Sequence, residues 1–332
     1  PEEKLAELEK RGIFSEWDMV PLLLATLWND ILSHRTDLKL PADLYSAAEE
    51  IGHNINGYMP RELIIPEFRE AYIASQYPAE AALQHGCFPF IPMDLRVNIL
   101  SQSRNVNFSQ TMRLFQHYSL GSWVFSQTYD LPAEVETESF LHTHDRSNIN
   151  DEIRAKLLQP NIHLAGLTAR PSAPPREVDD SHFGYAPEAE IALELVGLAD
   201  IPLIAFGKLE YLAAQRGLHA GALIKPSPVH ALAATVAALT GNEWAGLQSA
   251  GDWFETGQLK GAFADLPRAF ELFVVEDTLG GIRSTQAAGA LLRQAGFEVT
   301  VHALGLTSGS ASKVEAFNQA GVRYFENWEE LI

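Results

Sequence analysis

From residue 161 onwards, short apolar runs alternate with segments of helical periodicity, and this alternation restricts the fold more than any other feature. Strands of parallel sheets are buried on both faces and are therefore apolar throughout, and their alternation with helices is typical of βαβ units. The predicted strands are 162–167, 202–206, 222–224, 270–275, 297–303 and 322–325, and the predicted helices are 186–198, 209–216, 228–239, 281–295 and 312–320. The sequence therefore predicts an α/β domain with a parallel sheet over residues 151–332.

The first 150 residues have a different pattern. Apolar residues recur at steps of three and four over segments such as 15–33 and 44–51, which is the periodicity of amphipathic helices. The stretch 87–150 shows no regular alternation, and proline interrupts its most apolar run. A chain of this length is expected to form roughly two domains. We therefore predict a mainly helical domain over residues 1–150, followed by the α/β domain.

The charge balance excludes several classes of partner. The 332 residues include 24 Lys and Arg against 43 Asp and Glu, a formal net charge of −19. Such a surface repels phosphate backbones and anionic lipid, so we expect no nucleic-acid or membrane-surface binding, although a local cationic pocket for a small anion is compatible with it. No signal peptide or membrane-spanning stretch is visible, which predicts a cytoplasmic protein. Cys87 is the single cysteine, so an internal disulfide framework is excluded.

Polar residues stand where three of the predicted strands end. Thr168 and Arg170 follow the first strand, Lys225 follows the third, and Glu276 with Asp277 follows the fourth. Because ligands of open parallel sheets bind beyond the carboxyl ends of the strands, we expect these side chains to converge. A hydroxyl, an ammonium and a pair of carboxylates are groups that bind a phosphoryl group and Mg²⁺. The sequence therefore predicts a site for a small-molecule phosphate ester.

Each of these residues also has an ordinary structural interpretation. Thr168 alone could cap a turn, and Lys225 alone could be a solvated lysine. Carboxylates such as those of Glu276 and Asp277 are favoured at a helix start by the helix dipole. Because all these residues follow predicted strands, one shared binding site explains them better than a separate structural role for each.

Three segments resemble motifs of the haloacid dehalogenase (HAD) superfamily. The run Val-Val-Glu-Asp-Thr-Leu-Gly-Gly at 274–281 resembles the fourth motif of that family, Lys-Pro-Ser-Pro at 225–228 its third, and Leu-Thr-Ala-Arg-Pro at 167–171 its second. The resemblance covers about residues 155–332. It implies a Rossmann-like core in that part of the chain and a helical cap domain in the N-terminal part.

The resemblance also implies a role for each residue at the strand ends. Thr168 would hold the phosphoryl group, and Lys225 would neutralise the nucleophile and the phosphate. Asp277, assisted by Glu276, would bind Mg²⁺, and Arg170 would add positive charge for the substrate. The reaction implied is phosphoryl transfer through an aspartyl-phosphate intermediate, a form of covalent catalysis.

Two features depart from the family pattern. Lys225 and Asp277 are 52 residues apart, which is longer than expected, and residues 242–267 are interpreted as an added helix or loop. The first motif, a strand ending in Asp-x-Asp that carries the nucleophile, does not occur before Thr168. The nearest imitation is the run 90–96, in which Asp94 stands in the nucleophile position but Arg96 occupies the second acidic position.

The missing motif has two explanations. In many HAD proteins the helical cap follows directly after the first motif, so the nucleophile strand is expected upstream of Pro1. Alternatively, the protein has lost the motif. The first explanation predicts a Mg²⁺-dependent phosphatase of a small phosphorylated metabolite, and the second predicts a catalytically inactive HAD-fold protein that binds a ligand or partner. Cleavage of a carbon–halogen or carbon–phosphorus bond is a third possibility.

Two other segments have the composition of functional sites but are interpreted structurally. His142, His144 and Asp145 look like a metal cluster, yet their polar flanks predict a solvated loop, which could contribute to substrate selection if it faces the cleft. The stretch 305–313 is rich in Gly and Ser but lacks the Gly-Lys-Ser/Thr ending of a phosphate-binding loop. A strand-to-helix turn with a serine cap is predicted there.

Overall fold

The computed structural model of the chain describes residues 4–5, 7–8, 11, 13, 15–55, 57–59, 63–65, 77–179 and 184–332. The chain divides into two units, Pro1–Ser139 and Phe140–Ile332. The boundary therefore lies ahead of the predicted one at residue 150. The reason is that a short helix over Phe140–Thr143 packs against a helix over Glu188–Leu195, which belongs to the second unit.

The described part of the first unit consists of helices and the loops between them. These helices are α1 (Glu16–His34), α2 (Leu44–Asn54), α3 (Pro78–Gln84), α4 (Met93–Leu100), α5 (Gln110–Leu120) and α6 (Ser122–Tyr129). Leu22 and Ile31 on α1 lie in one buried cluster with Ile51 on α2 and Leu95 on α4. The apolar residues that recur at helical spacing in the sequence thus form the core of this unit.

The second unit alternates strands and helices. Its helices are α7 (Phe140–Thr143), α8 (Asp151–Leu157), α9 (Glu188–Leu195), α10 (Phe206–Arg216), α11 (Pro228–Thr240), α12 (Glu243–Thr256), α13 (Leu279–Gln294), α14 (Ala311–Ala320) and α15 (Trp328–Leu331). Its strands are β1 (Gly166–Leu167), β2 (Leu203–Ile204), β3 (Ala269–Glu276), β4 (Glu298–Leu306) and β5 (Arg323–Phe325). β1 pairs with β2, and β3, β4 and β5 form a second sheet in that order, with every pair parallel. The prediction of an α/β fold with parallel strands is confirmed.

One face of the three-stranded sheet is covered by α13 and α14. Val274 of β3 packs with Ile282 of α13 and Phe317 of α14. Glycine permits this close packing, because a Cβ atom at Gly305 of β4 would approach the Phe317 ring to 2.7 Å. Side chains alternate between faces along a strand, and Phe273, on the opposite face from Val274, is 57% exposed. The two faces of this sheet are therefore unequally covered.

Three predicted strands differ from the structure. The first two shorten to the two-residue strands β1 and β2. The prediction of a strand at 222–224 is wrong, because the backbone N–H groups of Leu223 and Ile224 both donate to Ala220 O, at 3.0 and 3.3 Å. These residues form a local turn. The apolar side chain of Leu223 in this turn is fully buried. A short buried run has the same composition in a turn as in a strand.

The segment 242–267, interpreted from the sequence as an addition, forms α12 and a 3₁₀ turn over Gly261–Asp265. α12 packs closely against α11, since a Cβ atom at Gly246 would approach Ala233 O to 2.5 Å. Leu247 and Ala250 of α12 are fully buried. The segment is therefore an integral part of the second unit.

No helix in the described ranges combines the length and the apolar character needed to cross a membrane. α1, with 19 residues, is interrupted by polar side chains that include Asp18 and Asp30.

Candidate functional site

The carboxyl end of β3 holds a buried ion pair between Lys225 and Glu276. The Lys225 Nζ ammonium donates to Glu276 Oε1 at 2.5 Å, and the two side chains are 14% and 5% exposed. Thr278 Oγ1 donates to the other carboxylate oxygen at 3.3 Å. Lys225 lies in the loop before α11, so the structure brings together two of the predicted site residues from separate segments.

Burial controls the protonation behaviour of Glu276. Removal of the carboxylate from water raises the pKa of Glu276 above its usual range, and the Lys225 ammonium opposes that rise. The neighbouring Asp277 carboxylate adds to the rise because two like charges repel. The charge of Glu276 therefore depends on one lysine, a situation typical of functional sites.

A glycine makes room for the Glu276 carboxylate. A Cβ atom at Gly281, in the first turn of α13, would overlap Glu276 Oε1. At the preceding glycine, Gly280, the nearest atoms to a Cβ would be Thr278 Oγ1 at 3.7 Å and Lys225 Cγ at 3.8 Å, which are ordinary contacts. The two adjacent glycines of the sequence therefore have different roles, and only the second is required by the site.

His230 connects the Lys225 loop to the end of β2. It lies on α11, is fully buried, and has Nε2 2.9 Å from Ile204 O. Its Nδ1 accepts a hydrogen bond from Lys225 N at 3.2 Å, so the proton must lie on Nε2, which donates to the carbonyl. Burial lowers the pKa of His230 to about 3, which keeps the ring neutral. The role of His230 was not predicted from the sequence, although a histidine within the apolar run of α11 was an available signal.

Replacement of His230 by glutamine is expected to make the stability of the protein less sensitive to acid. The unfolded chain takes up a proton on His230 below about pH 6.5, whereas the folded chain resists protonation until about pH 3. This histidine therefore contributes stability above pH 6.5 that is lost as the pH falls, by up to about 1.4 kcal/mol per unit. The free energy of unfolding, measured with urea, falls between about pH 7 and about pH 5. This fall is expected to be roughly 2 kcal/mol smaller in H230Q than in the unmodified protein.

The exposed His163 provides a matched control for that comparison. His163→Gln is expected to lose as much stability between the two pH values as the unmodified protein. An H230Q profile as steep as that of the unmodified protein would contradict the assignment of a neutral, buried His230.

Ser284 on α13 also supports the Lys225 loop. Its hydroxyl donates to Ser227 O at 2.5 Å and accepts from Ala231 N at 3.3 Å, and the residue is fully buried. It thereby ties α13 to the start of α11. This role of Ser284 could not be predicted from the sequence, because serine is also common in exposed positions of helices.

Asp277 has a lysine of its own. Lys313 Nζ, from the first turn of α14, donates to Asp277 Oδ2 at 2.7 Å. The serine cap predicted for this turn is not observed, because Ser310 stands at the N-cap but its hydroxyl bonds to Ser312 Oγ at 3.0 Å. The sequence predicts only a strand-to-helix turn in the segment that contains Lys313, and it does not predict the contact of Lys313 with Asp277.

Thr168 and Arg170 make contacts within their own part of the unit. Thr168 Oγ1 accepts from Arg170 N at 3.2 Å, which is the turn-capping interaction considered as the structural alternative. Arg170 Nη2 lies 3.6 Å from Asp145 Oδ2. Among the residues described, no hydrogen bond or ion pair joins either of them to Lys225 or Glu276. The structure thus brings Lys225 and Lys313 to the two carboxylates at the end of β3. Thr168 and Arg170 follow β1 and bond to other partners.

Asp94 does not occupy a strand end. It lies exposed in the first turn of α4, within the first unit. Two residues on, Arg96 Nη1 donates to Cys87 O at 3.3 Å. The run therefore does not form the strand end that the first HAD motif requires, because Asp94 lies in the first turn of a helix.

His142 lies in the short helix α7 and not in the predicted loop, whereas His144 and Asp145 follow that helix. His142 and His144 are exposed, and the His144 ring packs on Phe140 with centroids 4.6 Å apart. Over the described ranges, no group of three or more His, Cys, Asp or Glu side chains is placed to hold a metal ion. Asp145 is instead beside Arg170.

The two carboxylates at the end of β3 are oxygen ligands of the kind that could hold Mg²⁺. Mg²⁺ in proteins commonly takes one or two carboxylates and completes its coordination with water and phosphate oxygens. Asp277 is 55% exposed and fits such a ligand, whereas Glu276 is enclosed by Lys225 and Gly281. Asp277 therefore suits direct contact with the metal, and Glu276 suits a supporting position beside it.

Comparison of the chain with protein-family models, with curated proteins and with solved structures gives no match. The site geometry is therefore the basis for assigning a function.

Proposed function

We propose that this protein is a Mg²⁺-dependent hydrolase of the HAD type that acts on a small phosphorylated metabolite. The observation that carries the proposal is the Lys225–Glu276 ion pair at the carboxyl end of β3, with the exposed Asp277 beside it. This edge of a parallel sheet is where ligands bind. Catalysis of phosphoryl transfer consists mainly of positioning and charge stabilisation, for which a lysine and an exposed carboxylate are suited.

The residues have distinct roles in this proposal. Lys225 neutralises phosphoryl oxygens, the Thr168 hydroxyl donates to one of them, and Arg170 adds positive charge at the approach. Mg²⁺, held at Asp277 with Glu276 in support, would supply Lewis-acid polarisation of the phosphoryl group. Local positive charge is needed because a phosphate ester has to approach a protein of net charge −19.

The helices support a Rossmann-like core that joins both sheets. α11 contacts β1, β2 and α13, and α13 contacts β3 and β4, so one layer of helices connects the two sheets. His230 bonds Ile204 at the end of β2, while Lys225 bonds Glu276 at the end of β3. The carboxyl ends of β2 and β3 are therefore linked through the same loop, as in a single parallel sheet.

The free edges of the strands support a nucleophile on a further strand. In the described part of the chain, β1 pairs only with β2, and β3 pairs only with β4. β3 is apolar along most of its length, as a central parallel strand is. A parallel strand between β1 and β3 would end between Thr168 and Glu276. Asp-x-Asp is absent before Thr168, so that part of the sequence does not supply such a nucleophile.

Where such a strand is present, Asp277→Asn is expected to reduce Mg²⁺-dependent phosphatase activity by at least about 100-fold. The carboxamide keeps the shape of the side chain but lacks the charge that a hard divalent cation requires. Release of inorganic phosphate from a generic phosphate monoester at saturating Mg²⁺ measures the change.

Asp265 supplies the matched control, since it is an exposed carboxylate in the turn before β3. Asp265→Asn is expected to retain full activity. Undiminished turnover by D277N would overturn the assignment of the site.

A catalytically inactive HAD-fold protein that binds a ligand is the second candidate. The observation that favours it is that both carboxylates already have lysine partners, Lys225 at 2.5 Å and Lys313 at 2.7 Å. A site neutralised in this way can bind an anion without turning it over. Binding of inorganic phosphate by the protein, with no hydrolysis of a phosphate monoester at any Mg²⁺ concentration, would favour this candidate over the enzyme.

A further inference from the structure

The ion pair between Asp277 and Lys313 lies at the surface, next to the buried Lys225–Glu276 pair. Lys313 Nζ is 2.7 Å from Asp277 Oδ2, and the two side chains are 30% and 55% exposed. Glu276 is already neutralised by Lys225, so the charge of Lys313 acts on Asp277. The ammonium thus occupies one oxygen of the carboxylate that the proposed function assigns to a divalent cation.

The turn before α14 fixes the position of Lys313. Thr307 N donates to Phe325 O and Ser308 N donates to Glu326 O, both at 2.9 Å, so the turn is attached to the end of β5. Thr307 is buried, and its hydroxyl also donates to Phe325 O, at 3.2 Å. Lys313 follows in the first turn of α14 and is therefore held beside the end of β3 by the fold.

We propose that Lys313 is an internal cation that competes with a divalent metal ion for Asp277, and so sets the metal concentration at which the site fills. The inference rests on the proposed function, because it takes Asp277 as the metal ligand. An incoming metal ion must replace the ammonium at Oδ2 and then bind close to its positive charge. Both effects weaken the metal affinity.

The size of the effect follows from exposure. Two unit charges about 4 Å apart interact by about 1 kcal/mol in water and by several times more where the protein excludes water. Because Lys313 and Asp277 are both partly exposed, their interaction lies near the lower of these limits. Removal of the ammonium is therefore expected to change the metal affinity by about tenfold.

Calorimetric titration of the full chain with MgCl₂ alone tests the proposal. Lys313→Met keeps most of the side-chain length but removes the charge, and it is expected to lower the Kd for Mg²⁺ by about tenfold. Lys313→Arg keeps the charge, so its Kd is expected to stay within about threefold of the unmodified value. Lys260→Met, at an exposed lysine outside the site, is the matched control and is expected to leave the Kd unchanged.

Asp277→Asn separates this inference from the proposed function. It is expected to weaken Mg²⁺ binding by at least about tenfold and to abolish the effect of K313M. If D277N weakens binding but K313M does not tighten it, competition by Lys313 is overturned while Asp277 remains a metal ligand. If D277N leaves the Kd unchanged, or if neither the unmodified chain nor K313M binds Mg²⁺ measurably, both the inference and the metal assignment of the proposed function are overturned.

Discussion

Gly281→Ala is expected to destabilise the protein by about 3 kcal/mol, although alanine is ordinarily the better residue in a helix. The added methyl group would overlap Glu276 Oε1, so the carboxylate would have to leave Lys225 Nζ, its partner at 2.5 Å. A buried charge that loses its partner costs about 3–5 kcal/mol, and the gain in helix propensity returns at most about 1 kcal/mol. Urea unfolding followed by circular dichroism measures the difference.

Gly280→Ala is the matched control for this prediction. It adds the same methyl group one residue earlier, where the nearest atoms are 3.7 Å or more away. We expect stability to be unchanged or higher by up to about 1 kcal/mol. A second test places Gly281→Ala in a Glu276→Ala background, where the overlap is removed and the cost is expected to fall. An equal cost in both backgrounds would show that the carboxylate is not the cause.

Lys225→Met is expected to destabilise the protein by about 3 kcal/mol at about pH 8 and by much less at about pH 5. Methionine keeps the apolar stem but leaves the buried Glu276 without its cation. Burial already raises the pKa of Glu276 above its ordinary value of 4.5, and loss of the ammonium raises it further. When the pKa of a carboxyl is higher in the folded than in the unfolded protein, the protonated group stabilises the fold below pH 4.5. This stabilisation is lost as the pH rises through the folded-state pKa. The deficit of K225M therefore grows with pH.

The double variant Lys225→Met/Glu276→Gln tests the cause of that deficit. A neutral amide needs no cation, so the double variant is expected to regain stability to within about 1 kcal/mol and to lose the pH dependence. Unfolding free energies from urea titrations at the two pH values provide the comparison. A deficit in K225M that is the same at about pH 5 and about pH 8 would rule out burial of an uncompensated carboxylate as the reason.

Long, regular segments of the second unit could be predicted closely from the sequence. β3 covers the predicted 270–275, β4 extends the predicted 297–303 towards its carboxyl end, and α11 matches the predicted 228–239 to within one residue. In these segments the apolar pattern is continuous or periodic over many residues, so local propensity and burial favour the same structure. The position of Glu276 at the end of β3 could be predicted for the same reason, whereas Lys225 follows a turn and not the strand predicted at 222–224.

Short segments could not be predicted in this way. The run 222–224 forms a turn, and Asp94 lies in the first turn of a helix, because a few residues carry no usable periodicity. The roles of His230, Ser284 and Lys313 were missed for a different reason. Each acts through a hydrogen bond or an ion pair to another segment, as in the bond from Lys313 to Asp277, 36 residues away.

The sequence by itself determined that the second half of the chain is an α/β unit with parallel strands, and it identified the polar residues that follow those strands. Only the tertiary structure decided which charges meet. Lys225 and Glu276 are 51 residues apart and become partners because α11 and α13 pack together, which buries the pair and makes each charge depend on the other. Burial and charge pairing arise from the packing of distant segments, and no local pattern of residues encodes them.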